Sequence, residues 1–268
     1  MKVDLCMWAK NGALFLPHVL KRIDEVIPGE CVNQKIFVDD SSVDDSVRIA
    51  KCFNWDVYPN HEGWISGGTK EALSHVETEF FVSIEQDVLL AKNWWPTILK
   101  YMEDKKVAVA QGIRFSTNAA YRAFEKYNLK KVNELPFEER SRLYFSIDNN
   151  VYRTKIIKQL GFSDDPVSMI PFYEKIVSNG YKWITDTNLV SDHFRTSFFN
   201  DINHTIRLYT MTKMDTFLDH ISLLRLLLGL PFSLKFIRSR NAFVFLTSTL
   251  LRFSYIPIYF HRRKNYSE

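Results

Sequence analysis

Phe80–Leu90 reads FFVSIEQDVLL, and the fold follows from how this stretch is parsed. Phe80 to Ile84 is a short apolar run with aromatic and β-branched residues, the composition of a strand buried on both faces. It stops at Glu85-Gln86-Asp87, and apolar residues resume at Val88-Leu89-Leu90. On extended backbone, side chains two apart point the same way, so Glu85 and Asp87 share a face. The carboxyl end of a buried strand is where open α/β sheets bind ligands. Hard oxygen ligands at such a place suit Mg²⁺ or Mn²⁺ bridging a diphosphate. The triplet alone fits equally well a strand that runs out into a polar turn, and the flanking sequence has to decide.

Upstream, Val3–Trp8 reads as a strand, broken by Asn11-Gly12. Leu16, Val19, Leu20, Ile23, Val26 and Ile27 then recur at helical spacing until Pro28-Gly29. Lys35–Val38 is a second strand running into Asp39-Asp40-Ser41-Ser42. Ser41 or Ser42 suits the N-cap of a following helix, with Asp44 and Asp45 in its first turn. Trp55–Tyr58 is a third strand, so the order is β-α-β-α-β, the pattern of a doubly wound parallel sheet. Asn60–Thr69 (NHEGWISGGT) reads as a loop into a helix, where Gly67-Gly68 would let backbone amides approach a phosphate. Its spacing matches neither GxGxxG nor GxxxxGK[ST], which leaves dinucleotide oxidoreductases and P-loop enzymes without support. Downstream, Asn93 caps a helix, Val107–Ala110 is a fifth strand, and residues 115–145 read as irregular helix. Ile147–Tyr152 is extended, and Ile170–Ser178 is a helix closed by Asn179-Gly180. Tyr181–Ile184 and Asn188–Val190 give a last strand region before Ser191-Asp192-His193.

Composition sets the outer limits. The 268 residues suffice for one sizeable core or one core with an appendage. Residues 217–268 carry eight Lys/Arg against two Asp/Glu, so the net +4 of the chain leaves −2 for residues 1–216. A near-neutral body with a basic, apolar tail points to an anionic membrane surface and away from nucleic acid. Cys6, Cys31 and Cys52 have neither disulfide-framework nor metal spacing, which fits a reducing compartment. The start MKVDLCMW runs directly into a strand and does not read as a signal peptide.

Six stretches in this order resemble the family 2 glycosyltransferases: FVDDSSVDDS at 37–46, GWISGGTKEAL at 63–73, SIEQDVLL at 83–90, NNVYRTKIIKQLGF at 149–162, SNGYKW at 178–183, and a histidine after the last strand. The resemblance spans roughly residues 2–195. It implies the GT-A fold, a Rossmann-like, mostly parallel sheet flanked by helices, and inverting transfer of a hexose from a UDP- or GDP-linked donor. It also implies roles for single residues. Asp39 or Asp40 would hold the base or ribose, since a strand-end carboxylate accepts from an imide N–H or a hydroxyl. Gly67, Gly68 and Lys70 would lie along the diphosphate, with Arg195 a further candidate cation. Asp87 matches the last acid of the DxD element that holds Mn²⁺ or Mg²⁺. Glu85 stands where the first acid is usually Asp, and His193 would be an additional metal ligand. The family's acidic pair before the Gly-Tyr signature is replaced by Ser168-Met169. The nearest candidates for the catalytic base are Asp165 and Asp164, with Asp148 further upstream. A phosphate acceptor, as in polyprenyl-phosphate sugar synthases, would need no base, and loss of transfer activity is a third explanation.

The chain thus divides on sequence into a catalytic domain over 1–215 and a basic, apolar segment over 216–268. In that segment Arg225, Lys235 and Arg252 interrupt the apolar runs, and Pro231 and Pro257 break helix. Amphipathic helices lying in a membrane interface fit better than a simple span. The expected activity is metal-dependent glycosyl transfer to a saccharide or lipid-linked acceptor, at the cytoplasmic face of a membrane. The alternative is a catalytically degenerate domain acting as a membrane-bound binding or scaffold subunit. A sugar nucleotidyltransferase would want a glycine- and arginine-rich loop after the first strand, which Trp8-Ala9-Lys10-Asn11-Gly12 does not supply.

Overall fold

The computed structural model describes residues 1–162, 170–195, 197–199, 244 and 249–250. Strand β1 (Val3–Ala9) is buried along its whole length, because apolar residues at both parities meet a packed layer on each side. Val3, Leu5, Met7 and Ala9 enter one core cluster, whereas Cys6 and Trp8 enter the other. Helix α1 (Leu16–Val26) lays Leu16, Val19, Leu20, Ile23 and Val26 into the first of these clusters. The chain continues through β2 (Val32–Asp39), α2 (Ser46–Cys52), β3 (Asp56–Pro59), α3 (Trp64–His75) and β4 (Phe80–Ser83). Next come β5 (Val88–Leu89), α4 (Trp94–Ile98), β6 (Val107–Ser116) and α5 (Ala119–Asn133). The remaining described elements are β7 (Asn150–Arg153), α6 (Thr154–Leu160), α7 (Ile170–Ser178) and β8 (Lys182–His193).

These strands form one sheet in the order β3-β2-β1-β4-β7-β6-β8-β5. The four on the amino-terminal side are mutually parallel, as the βαβ pattern requires. Beyond β4 the direction reverses, with β4 against β7, β7 against β6, and β5 against β8 all antiparallel. Residues 115–145, read as irregular from sequence, contain the 15-residue helix α5 and a 3-10 turn at Phe137–Arg142. The two last strand segments are one continuous 12-residue strand.

Two helix starts differ from the sequence expectation. Helix α2 begins at Ser46, so Asp44 and Asp45 precede its first turn. Asp44 Oδ1 accepts the Ser46 N–H at 3.0 Å, and neither Ser41 nor Ser42 occupies the cap position. Helix α3 begins at Trp64, behind Gly63 at φ +70°, and Gly67 and Gly68 lie buried within it. A Cβ on Gly68 would stand 2.7 Å from Trp8 Cβ, and one on Gly67 would collide with Asn60 Oδ1. The glycine pair therefore lets α3 press against the end of β1 and the Asn60 loop, instead of forming a loop open to phosphate.

The chain divides into two compact units. Met1–Phe115 with Lys131–Phe194 forms one, which contains the strands named above apart from the last residue of β6. Ser116–Lys130 with Arg195–Glu268 forms the other. In this second unit Asn118 Oδ1 accepts the Ala120 and Tyr121 N–H groups at 3.1 and 3.3 Å, capping the start of α5. The boundary expected at 215/216 and nearly all of the 216–268 tail lie outside the described residues. Among the described residues, no helix is long and apolar enough to cross a membrane.

Candidate active site

Three loops meet at the carboxyl edge of the parallel strands. After β1, Lys10–Ala13 is bolted to the loop after β2: Asn11 N–H donates to Ser42 Oγ at 2.9 Å, and Gly12 N–H to Ser46 Oγ at 2.7 Å. Val43 N–H returns to Asn11 Oδ1 at 2.9 Å, and Ala13 N–H donates to Asp44 Oδ2 at 3.0 Å. The loop after β4 is clipped to the same segment by Gln86. Its Oε1 accepts the Lys10 N–H at 2.9 Å, and its Nε2 donates to the Lys10 carbonyl at 3.1 Å. A side-chain amide satisfying both groups of one backbone residue explains why an amide separates the two acids. It fixes the Glu85-Gln86-Asp87 triplet against the end of β1.

Asp40 and Asp39 occupy this edge. Lys10 Nζ stands 3.1 Å from Asp40 Oδ2. Asp39 Oδ2 accepts the Ser42 N–H at 3.1 Å, whereas its Oδ1 is buried without a hydrogen-bond partner. A buried carboxylate oxygen left unpaired is costly, and a ligand donor would satisfy it. Lys70, on α3, lies 3.1 Å from Glu62 Oε2. Arg195 belongs to the second unit, where its N–H donates to Thr117 Oγ1 at 3.2 Å. Asp164 and Asp165, the expected bases, lie outside the described residues.

His193 reaches the triplet through the antiparallel half of the sheet. The two-residue strand β5, directly after Asp87, pairs with the end of β8, setting Val88 opposite His193. Phe194 N–H then donates to the Asp87 carbonyl at 2.8 Å. His193 Nε2 consequently lies 3.3 Å from Asp87 Oδ1 and 3.6 Å from Glu85 Oε2. Glu85, Asp87 and His193 each offer one ligand atom, all within 4.8 Å of one another. The imidazole is 8% exposed, and its Nε2 makes no hydrogen bond. A buried nitrogen aimed at two carboxylates, with no bond of its own, fits a divalent cation held by oxygen and imidazole ligands.

Sequence reasoning gave no role to Arg114 and named Asp148 only as a distant acid. Strand β7 pairs with β4, and Asn149 N–H donates to the Ser83 carbonyl at 2.8 Å, which brings Asp148 beside the triplet. Asn149 takes the left-handed conformation, φ +66°, that asparagine tolerates. Strand β6 pairs with β7 on its other side and carries Arg114 inward. Arg114 Nη1 stands 2.8 Å from Asp148 Oδ2, and Nε stands 3.3 Å from Glu85 Oε2. Burial works against the guanidinium charge, but Asp148, then Glu85, raise the Arg114 pKa above its ordinary value. Burial likewise pushes the Asp148 carboxyl well above the usual carboxylate range. Arg114 opposes that shift and Glu85 adds to it. A signal was present: arginine, the one charged residue in the mostly apolar strand VAVAQGIRF, must find a partner for its charge.

Comparisons with known proteins identify the family and the fold. The family profile described as Glycosyl transferase family 2 matches residues 5–161, more than half of the chain. A comparison with curated protein sequences gives no match. Among solved structures, the fold is similar to a mannosyltransferase from Pyrobaculum calidifontis in complex with GDP-Man and Mn²⁺. There the TM-score is 0.61 at 16% identity, over 78% of this chain and 61% of that one, so this chain spans about three fifths of that protein. It is similar to S. aureus TarS 1-349 in complex with UDP-GlcNAc, with a TM-score of 0.58 at 14% identity, over 80% of this chain and 68% of that one. It is similar also to glucosyl-3-phosphoglycerate synthase from Mycobacterium tuberculosis with Mn²⁺, UDP and glucosyl-3-phosphoglycerate, with a TM-score of 0.54 at 13% identity, over 75% of each chain. These likenesses establish a shared GT-A-like fold, and the profile match establishes membership: the chain belongs to glycosyl transferase family 2.

Proposed function

We propose that the chain is an inverting, divalent-metal-dependent hexosyltransferase that uses a UDP- or GDP-linked sugar donor. The observation that carries this is the convergence of Glu85, Asp87 and His193, contributed by two chain segments some hundred residues apart, at the carboxyl edge of β4. Asp87 and His193, with Glu85, would hold Mn²⁺ or Mg²⁺. The bound ion supplies compensation for the negative charge that develops on the diphosphate leaving group. Asp39 offers an unpaired buried oxygen to a base or ribose donor group, and Asp40 stands beside it. His193 is buried and Asp87 only partly exposed, and a charge shielded from solvent acts more strongly. The acceptor oxygen attacks the anomeric carbon from the face opposite the diphosphate. The carbon–oxygen bond to the diphosphate breaks with its electron pair remaining on the phosphate. Where the acceptor is a hydroxyl, its proton passes to a carboxylate, for which Asp165 or Asp164 is our assignment; an ionised phosphate acceptor has no proton to transfer. For the acceptor we propose a saccharide or a lipid-linked saccharide or polyprenyl phosphate. The basic, apolar composition of residues 217–268 supports work at the cytoplasmic face of a membrane.

The test is turnover of UDP- and GDP-sugars by the full chain with Mn²⁺. Asp87→Ala should abolish both donor hydrolysis and transfer while the protein stays folded. Undiminished turnover in that variant refutes the metal assignment. Cosedimentation with anionic and neutral vesicles tests the membrane assignment, and equal failure to bind both refutes it.

A further inference from the structure

We propose that Arg114 and Asp148 form a positioning pair that sets how far the Glu85 carboxylate is available to the cation; this rests on the metal-site assignment above. The same Glu85 oxygen, Oε2, faces Arg114 Nε at 3.3 Å and His193 Nε2 at 3.6 Å. The guanidinium therefore competes with the cation for that oxygen. What restrains it is Asp148, whose carboxyl is itself a hydrogen-bond neighbour of Glu85. Arg114 Nη1 reaches Asp148 Oδ2 and Ser146 Oγ, each at 2.8 Å, and Ser146 Oγ donates onward to Asp148 Oδ2 at 3.0 Å. The contact with Asp148 is short and hydrogen-bonded through Ser146. At Glu85, Arg114 Nε lies within ion-pair distance yet makes no hydrogen bond. Arg114 is thus held mainly by Asp148, which is only 3% exposed, and leans on Glu85 by charge alone.

This arrangement gives a glutamate in the first-acid position a distinct use. Its longer side chain reaches a cation fixed on β6, the strand beyond β7, and also faces the site of the metal. The pair Arg114–Asp148 offsets charge repulsion among the carboxylates when no ion is bound, and releases Glu85 when one is. A bracing role alone would predict that every substitution here loosens the site. The competition predicts opposite signs for the two partners.

Mn²⁺ affinity of the full chain, measured by electron paramagnetic resonance of free Mn²⁺ with UDP or GDP present, separates these cases. Arg114→Gln removes the competing charge and should tighten Mn²⁺ binding about tenfold. That is the scale Coulomb's law gives for a unit charge several ångström away at an effective dielectric of ~20, reduced by residual solvent. Asp148→Asn frees the guanidinium to close on Glu85 and should weaken binding by a similar factor. Arg114→Lys keeps the charge and should stay within about threefold of the parent chain. Weakening by both Arg114→Gln and Asp148→Asn, or no change in either, overturns the proposal. Thermal melts of each variant confirm that the binding is read on folded protein. Asp87→Ala distinguishes the two levels. If the parent chain binds Mn²⁺ and Asp87→Ala does not, unchanged affinity in the Arg114 and Asp148 variants sinks this inference alone. If the parent chain binds none, the metal-site assignment fails and this inference with it.

Discussion

Asp87→Asn should raise the melting temperature of the metal-free protein while removing its response to metal. Glu85 and Asp87 place carboxylate oxygens within 4.8 Å of one another, and their side chains are only 25% and 15% exposed. Two unit negative charges ~5 Å apart at an effective dielectric of ~20 repel by about 3 kcal/mol. Arg114 beside Glu85 and partial solvent access reduce this, leaving a relief of about 1 kcal/mol when Asp87 loses its charge. For a domain of roughly 150–250 residues that corresponds to a rise of about 2–4 °C. Metal acts in the other direction. At a hundredfold excess over its Kd, a ligand that binds only the folded state stabilises it by about 2.7 kcal/mol. That is a shift of about 5–10 °C for a protein of this size, and the asparagine variant should forgo it. The two proteins should therefore exchange rank: the variant melts higher in EDTA and lower in Mn²⁺ with UDP or GDP. Differential scanning fluorimetry across the two conditions reads both effects. A variant that melts several degrees below the parent chain in EDTA would show Asp87 to be a structural strut. An undiminished Mn²⁺ shift in the variant would show that the cation binds elsewhere.

Three further outcomes follow from contacts outside the acidic cluster. Gly68→Ala should lower stability by about 1–3 kcal/mol, because its Cβ would stand 2.7 Å from Trp8 Cβ; a normal melt with selectively weakened donor binding would return the glycine to a phosphate-contacting role. Gln86→Leu removes both bonds to the Lys10 backbone, at a cost of about 1–2 kcal/mol. Hydrogen exchange should then quicken at Lys10–Ala13, and unchanged protection there contradicts the clip. Tyr101 donates to Asp186 Oδ2 at 2.8 Å, and burial, then that bond, raise its pKa above 10.0. The folded chain therefore keeps a proton that the unfolded chain releases. Its stabilisation is complete below pH 10.0 and declines as pH rises beyond it. Tyr101→Phe should flatten the alkaline limb of a stability–pH curve measured by denaturant titration, and an unaltered limb refutes the assignment.

What the sequence made legible is what depends on local pattern. Strand β4 is a run with no polar face, and its end is marked by three polar residues, so both the strand and the triplet stand out. Helix α1 declares itself by the spacing of its five buried residues. The glycines of α3 misled because their cause is tertiary: nothing in WISGGT shows that Trp8 needs the space a Cβ would fill. In isolation two glycines disfavour a helix by about 1 kcal/mol each, and packing against β1 overrides that preference. The contact of His193 with Asp87 is likewise invisible locally. It depends on the pairing of Val88-Leu89 with the end of a 12-residue strand, and two residues carry almost no strand signal of their own. Arg114 was readable as a charge in need of a partner, but only the β4-β7-β6 order identifies that partner.

The strand order itself explains why the chemistry gathers where it does. From β1 the chain crosses to β2 and β3 on one side, and it then returns to lay β4 on the other side of β1. Between β1 and β4, therefore, the loops leaving the two carboxyl ends diverge, which is where open α/β sheets form a ligand crevice. Lys10–Ala13 forms one lip of it, the acidic triplet forms the other, and Gln86 holds them at a fixed separation. The reversal of direction at β4–β7 supplies what a purely parallel sheet would not. Antiparallel neighbours bring the chain past the same edge again, which delivers Asp148 and Arg114 beside Glu85 and His193 beside Asp87. A parallel half that gathers a donor-binding edge, joined to an antiparallel half that carries counter-charges back to it, makes the crevice polar at its floor while the strands around it stay apolar. The site then depends on the register of β7 and β8 as well as on its carboxylates, since one residue of slippage would turn Asp148 and His193 to the opposite face.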